Sequence, residues 1–125
     1  DHPKIDPFWI RFEEYLKNYA DTELSDNAQY WVSESYYIQR KFNEAIQGFD
    51  KVLTNYPKGD KAPAAALKKG YSLLETKNND AGIRELRQLI QKYPNSDSAQ
   101  LAKDRLNAMG VSAAERPAPT KRGGK

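Results

Sequence analysis

Few residues in this chain have side chains that could do covalent or acid–base chemistry. His2 is the single histidine, and no second metal ligand stands near it in sequence. There is no cysteine, so disulfides, thiolate zinc sites and cysteine nucleophiles are all excluded. The carboxylates of Glu13, Glu14 and Asp50 read as solvated helix faces, because paired acid–base carboxylates need a cleft and the chain shows no pattern that builds one. No glycine-rich phosphate loop and no nucleophile elbow occur. These readings point to a protein that is not an enzyme and needs no cofactor or metal.

Binding chemistry is better represented. The net charge of +3 suggests a phosphate backbone, but its placement argues against nucleic acid. Arg116, Lys121, Arg122 and Lys125 against Glu115 account for all of it, and the rest of the chain is neutral. The run from Lys121 to Lys125 reads as a loose basic tail. No apolar stretch is long enough for a membrane-spanning helix. What remains is eight tyrosines and two tryptophans, rigid apolar bodies with polar tips that suit protein recognition.

The elements that carry these aromatics repeat. Tyr19, Tyr56 and Tyr93 end three similar stretches spaced 37 residues apart, beginning near Phe12, Phe49 and Leu86. A fixed period of this size marks stacked helical units. The apolar stripes predict about six helices. A first helix spans 7–19, opened by Asp6 and Pro7. A second runs from about 26 to 39, with Asp26 and Gln29 as a capping box. Asn43 caps a third that ends before Tyr56-Pro57, Pro63 opens a fourth, and Asp80 caps a fifth that ends at Lys92. A sixth, capped by Ser96 or Asp97, stops at Gly110. Only 38% of residues are hydrophobic, which is lean for a thick core and enough for a thin two-layer stack. Residues 1–6 are expected to fray, and 111–125 to form a disordered tail.

The unit resembles the tetratricopeptide repeat, a helix–turn–helix of 34 residues. Its small residues fall on Ser33 and Ala45 in one unit and on Gly70 and Gly82 in the next. Its aromatic falls on Tyr36 and Leu73, its large apolar residue on Phe49 and Leu86, and its proline on Pro57 and Pro94. The tryptophan of the motif is replaced by Gln29 and Ala66, and the period is longer by three residues. The resemblance implies an all-α, antiparallel superhelical stack: a half repeat (7–19), two repeats (26–57 and 63–94) and a capping helix (96–110). Phe8 takes the phase of Ala45 and Gly82, so Phe8 and Trp9 either form a self-association surface at an unpaired end or fold back on the second helix.

Longer stretches are more specific. Asn27 to Tyr37 followed by Phe42 to Ile46, Tyr56 to Pro63, and Tyr93 to Ser96 resemble the C-terminal domain of the CpoB/YbgF family of cell-division coordinators. The resemblance spans about residues 12–110. It implies a periplasmic protein of Gram-negative bacteria that binds TolA in the Tol–Pal system and couples outer-membrane constriction to septal peptidoglycan synthesis. That family trimerises through a coiled coil absent from this chain; a dimer through the first helix is the other oligomer considered.

In such stacks the first helix of each unit lines a concave face. The in-phase candidates for partner binding are Asn27, Tyr30, Glu34, Tyr37, Ile38, Leu67, Tyr71, Leu74, Glu75 and Arg105, with Leu101 beside them. The alternative for each is packing between repeats. Three functions are weighed: a TolA-binding scaffold, an adaptor or lipoprotein subunit of another envelope assembly machinery, and an enzyme or nucleic-acid binder, which the missing chemistry and neutral body disfavour.

Overall fold

The computed structural model describes residues 10, 11, 14 and 23–114. Five helices follow one another: α1 (Glu23–Ile38), α2 (Phe42–Asn55), α3 (Ala62–Glu75), α4 (Asn79–Lys92) and α5 (Asp97–Ala108). No strand occurs among the described residues. Each helix packs on the next in sequence, α1 also touches α3, and α3 touches α5, whereas α2 and α4 do not approach one another. The layer of α1, α3 and α5 is therefore the tighter one and forms the concave side of a tetratricopeptide-type stack. Of the expected helix over 7–19, Ile10, Arg11 and Glu14 are helical; Phe8 and Trp9 lie outside the described residues.

The core repeats with the sequence. One buried cluster joins Tyr30, Ala45, Phe49, Val52 and Ala65; the next joins Ala66, Leu67, Leu86, Leu89, Ala102 and Leu106. Phe49 and Leu86, Val52 and Leu89, and Ala65 and Ala102 are each 37 apart and fully or almost fully buried. Each cluster therefore needs one complete repeat plus the first helix of the following one, and α5 supplies that lid for the second.

Small residues set the approach of the paired helices. A Cβ at Gly82 would lie 3.1 Å from the Gly70 carbonyl oxygen, so α3 and α4 meet at the two glycines read from the repeat. In the first pair, a Cβ on Gly48 would collide with the Ser33 hydroxyl. There the close approach is Ser33 against Gly48, one turn beyond Ala45.

The helix starts correct several expected caps. α1 begins at Glu23, which places Asp26 and Gln29 inside it rather than at its cap. Asp26 is instead buried beside Gly59, where any side chain would strike its carboxylate. Asn43 and Asp80 also lie inside their helices; the cap positions are Lys41 and Asn78, neither of which makes a side-chain cap bond. The reason is the tightness of the turns. Arg40 (φ 63°) and Lys77 (φ 69°) are left-handed. Lys41 N–H donates to the Tyr36 carbonyl at 2.8 Å, and Asn78 N–H to Leu73 at 2.8 Å. The residue that closes one helix already opens the next. α5 ends in the same way at Gly110 (φ 74°), with Val111 N–H bonded to the Leu106 carbonyl at 2.9 Å. Ser96 caps α5, its Oγ accepting from Ala99 N–H at 3.0 Å.

The packed body extends past Gly110. Val111 and Ala113 rest against the second core cluster, and Arg87 Nε donates to the Ser112 carbonyl at 2.9 Å.

Candidate functional site

The phase that buries one stripe of α1, α3 and α5 presents another on the concave side. The stripes follow from spacing: residues four and seven apart on one helix share a face, and residues 37 apart share a position in successive units. Trp31, Lys68 and Arg105 are one such set. Glu34 and Tyr71 are another, and Tyr37 and Leu74 a third.

Cations bind this face to itself. Lys68 Nζ lies 2.8 and 3.0 Å from the two Glu34 carboxylate oxygens and 4.8 Å from the centre of the Tyr37 ring. Both members of the ion pair are largely shielded, with side-chain exposures of 23% and 15%. The contact is thus stronger than a surface pair and joins α1 to α3. Arg105 on α5 lies with its guanidinium carbon 4.2 Å from the Tyr71 ring centre on α3. Arg40 and Glu75 meet at 3.3 Å on the rim, where exposures of 72% and 44% leave the pair weak. Tyr37 also meets Phe42 edge-on at 5.6 Å.

The electrostatics place these groups in one neighbourhood. Burial pushes the Tyr37 hydroxyl above its ordinary value; nearby Arg105 pulls it down, while Glu75, Tyr71 and Glu34 push it up. Burial pushes the Tyr71 hydroxyl up, Arg105 pulls it down and Asp104 pushes it up again. Residues of all three first helices therefore converge around Tyr37, Tyr71 and Arg105. Both tyrosines are half-buried, which leaves part of each ring for a partner.

Not every candidate faces outward. Tyr30 is buried, 5.7 Å from Phe49, and its hydroxyl pKa is pushed up to about 12, by burial first and then by Glu34. Leu67, 37 residues later, is buried in the equivalent place. Both belong to the inward stripe, where they hold first helices to their neighbours. Leu74 is half-buried over Gly82. Glu34 is committed to Lys68. Asn27, Ile38 and Glu75 are exposed, Ile38 the most of any large hydrophobic side chain described, at 69%.

Sequence reasoning passed over several residues that matter. Trp31 is 47% exposed beside Tyr30, with Lys61 Nζ 5.1 Å from its ring and 5.3 Å from that of Tyr30. Lys68 is 37 residues before Arg105, and this spacing was the available signal. Asp50 is not simply solvated: it holds Lys69 at 2.6 Å, and Glu85 holds the same ammonium at 3.1 Å. Burial disfavours the Lys69 charge, but these two carboxylates outweigh it and raise its pKa. That tripod ties α2, α3 and α4 together behind the concave face. The Tyr93 hydroxyl donates to the Pro57 carbonyl at 2.8 Å and links the ends of the two repeats. Among the described residues, no group of His, Cys, Asp or Glu converges as metal ligands would. No described helix is long and apolar enough to cross a membrane.

Comparison with known families places residues 10–116 on the YfiO model, described as an outer membrane lipoprotein. No curated protein matches the chain. The match agrees with an envelope domain of tetratricopeptide type and does not single out the CpoB/YbgF resemblance.

Proposed function

The chain belongs to the YfiO outer membrane lipoprotein family, and on that premise we propose that it is a protein-binding scaffold of the cell envelope that docks a partner segment on the concave face of α1, α3 and α5. The observation that carries this reading is the convergence of Tyr37, Tyr71 and Arg105 from three helices, each half-buried, with exposed Ile38 and Glu75 beside them. Asn27 extends the same face toward the start of α1. The family description favours a periplasmic-side subunit of an envelope assembly machinery.

The resemblance of Asn27 to Tyr37 and Phe42 to Ile46 to the CpoB/YbgF family favours a second reading, in which the partner is TolA and the process is cell division. Photocrosslinking separates the readings. A benzophenone amino acid is placed at Tyr37, Ile38 or Tyr71, and at Gln47 and Gln88 on the outer helices as controls, in Gram-negative cells expressing the protein. Adducts from the concave positions alone are expected. Adducts from Gln47 and Gln88 alone would remove the concave-face reading. Identification of the adduct as TolA would select the second reading over the first.

A further inference from the structure

The repeat supplies an internal comparison. Lys68 and Arg105 occupy the same position of successive first helices. Each carries its cation back over a tyrosine of the preceding first helix, Lys68 over Tyr37 and Arg105 over Tyr71. Lys68 completes its contacts with both carboxylate oxygens of Glu34. The residue 37 positions after Glu34 is Tyr71 and the one 37 after Tyr37 is Leu74, so in the second interface a ring stands where the first has its carboxylate, and the cation is left without one. Neighbouring acids do not supply it. Glu75 pairs with Arg40; Asp104, whose charge reaches the Tyr71 hydroxyl, accepts from Gln100 Nε2 at 3.0 Å and makes no ion pair with Arg105. Among the described residues, no ion pair reaches the Arg105 guanidinium.

We propose that Arg105 is the receptor for a carboxylate side chain of the docked protein segment, an Asp or Glu that meets the stacked guanidinium along its free edge and gives this cation the charge partner that Glu34 gives Lys68. This rests on the reading of the concave face as the docking surface. The chemistry fits the residue. A guanidinium held over an aromatic ring keeps its N–H donors along its edge, where they match the two oxygens of a carboxylate. The ring fixes the group before the partner arrives and so reduces the ordering cost of binding. Lys61 points the same way: it is a second cation held over rings, those of Tyr30 and Trp31, and no ion pair among the described residues reaches it. An acidic segment complements both, and exposed Ile38 and Leu101 offer apolar contact beside it.

The test uses the full chain, labelled with nitrogen-15, and three probes: acetyl-Ala-Leu-Glu-Leu-Ala-amide, the same peptide with Gln for Glu, and the Gln peptide with a free C-terminal carboxylate. The Arg105 Nε–H resonance and the Tyr37 and Tyr71 ring resonances are followed by NMR. The Glu peptide is expected to move all three and to bind roughly tenfold more tightly than its Gln counterpart. Arg105→Gln should erase that preference, and Tyr71→Glu, which supplies the missing carboxylate from within, should do the same. Circular dichroism of both variants confirms that the helices persist. Equal binding of the Glu and Gln amides at Tyr37 and Tyr71 would overturn the carboxylate receptor and leave the docking surface standing. Tight binding only by the free-carboxylate Gln peptide would overturn the side-chain source in favour of a chain terminus. No response at Tyr37 or Tyr71 to any probe would count against the docking surface itself and would take the proposal with it.

Discussion

Gly82→Ala sets two known effects against each other, and the structure decides the sign. Gly82 lies within α4, where alanine is the better helix former by about 1 kcal/mol. If helix propensity governed the site, the variant would be more stable by that amount. The packing says otherwise. The new Cβ would sit 2.8 and 2.9 Å from Cδ2 and Cγ of Leu74 and 3.1 Å from the carbonyl oxygen of Gly70. Ordinary carbon contacts begin at about 3.5 Å, so α3 and α4 must part by roughly half an ångström or Leu74 must leave its rotamer. A rotamer change relieves the side-chain collision but not the one with the Gly70 backbone. Overpacking of this kind costs about 1–3 kcal/mol or somewhat more. Set against the propensity gain, the net effect is a loss of up to about 2 kcal/mol, which lowers Tm by up to roughly 10 °C for a domain of this size. Thermal and urea denaturation of the wild type and variant, followed by circular dichroism at 222 nm, measure it. A gain in stability of about 1 kcal/mol for Gly82→Ala, the full propensity effect, would refute the close approach of α3 and α4. Leu74→Ala combined with Gly82→Ala should cost less than the two single changes summed, because the side-chain collision is then gone and the backbone contact remains alone.

Three further outcomes follow from particular contacts. Lys77→Gly, at a left-handed position occupied by a residue with a β-carbon, should raise stability by about 0.5–1 kcal/mol in urea denaturation, since only glycine adopts that conformation without penalty. Glu34→Gln and Lys68→Met should each cost about 1–3 kcal/mol, between the values for exposed and buried pairs, and the double variant should lose less than the two singles combined in a double-mutant cycle. Burial holds the folded-state pKa of Tyr30 above the ordinary tyrosine value, so the stability that its neutral form contributes is intact below pH 10 and is lost as pH rises from 10 toward about 12. Unfolding free energies measured across that range should fall less steeply in Tyr30→Phe, and an unchanged slope would contradict the placement of Tyr30 in the core.

The helical stack could be read in advance because the period carries phase. Once Phe49 and Leu86 were aligned, counting gave which positions recur, but it left Tyr37, Tyr71 and Arg105 in three different sets, and only the packed layer brings them together. The same counting could not separate the inner stripe from the outer one at its edge. Tyr30 and Leu67 share a phase with each other, and only the approach of Phe49 shows that this phase faces inward. Arg40 and Lys77 gave no compositional signal, because neither residue type favours a left-handed backbone; the turn geometry imposes it. The expected caps at Asn43 and Asp80 missed for the same reason. Capping preference describes an isolated helix start, whereas here the preceding helix delivers the chain directly into the next.

Local rules and periodicity determined on their own that this protein is a stack of paired helices and which residues recur in equivalent places. These depend on spacing along one chain, which tertiary contacts do not alter. Only the tertiary structure decided what each recurring place touches. Glu34 is held by Lys68, while Arg105, in the position equivalent to Lys68, meets Tyr71 where a second carboxylate would stand. Side chains such as Glu34 and Lys68, or Tyr71 and Arg105, each 34 residues apart, become neighbours only when successive helices pack, so the pairing of charges and rings across repeats is a property of the packed layer and not of any single segment.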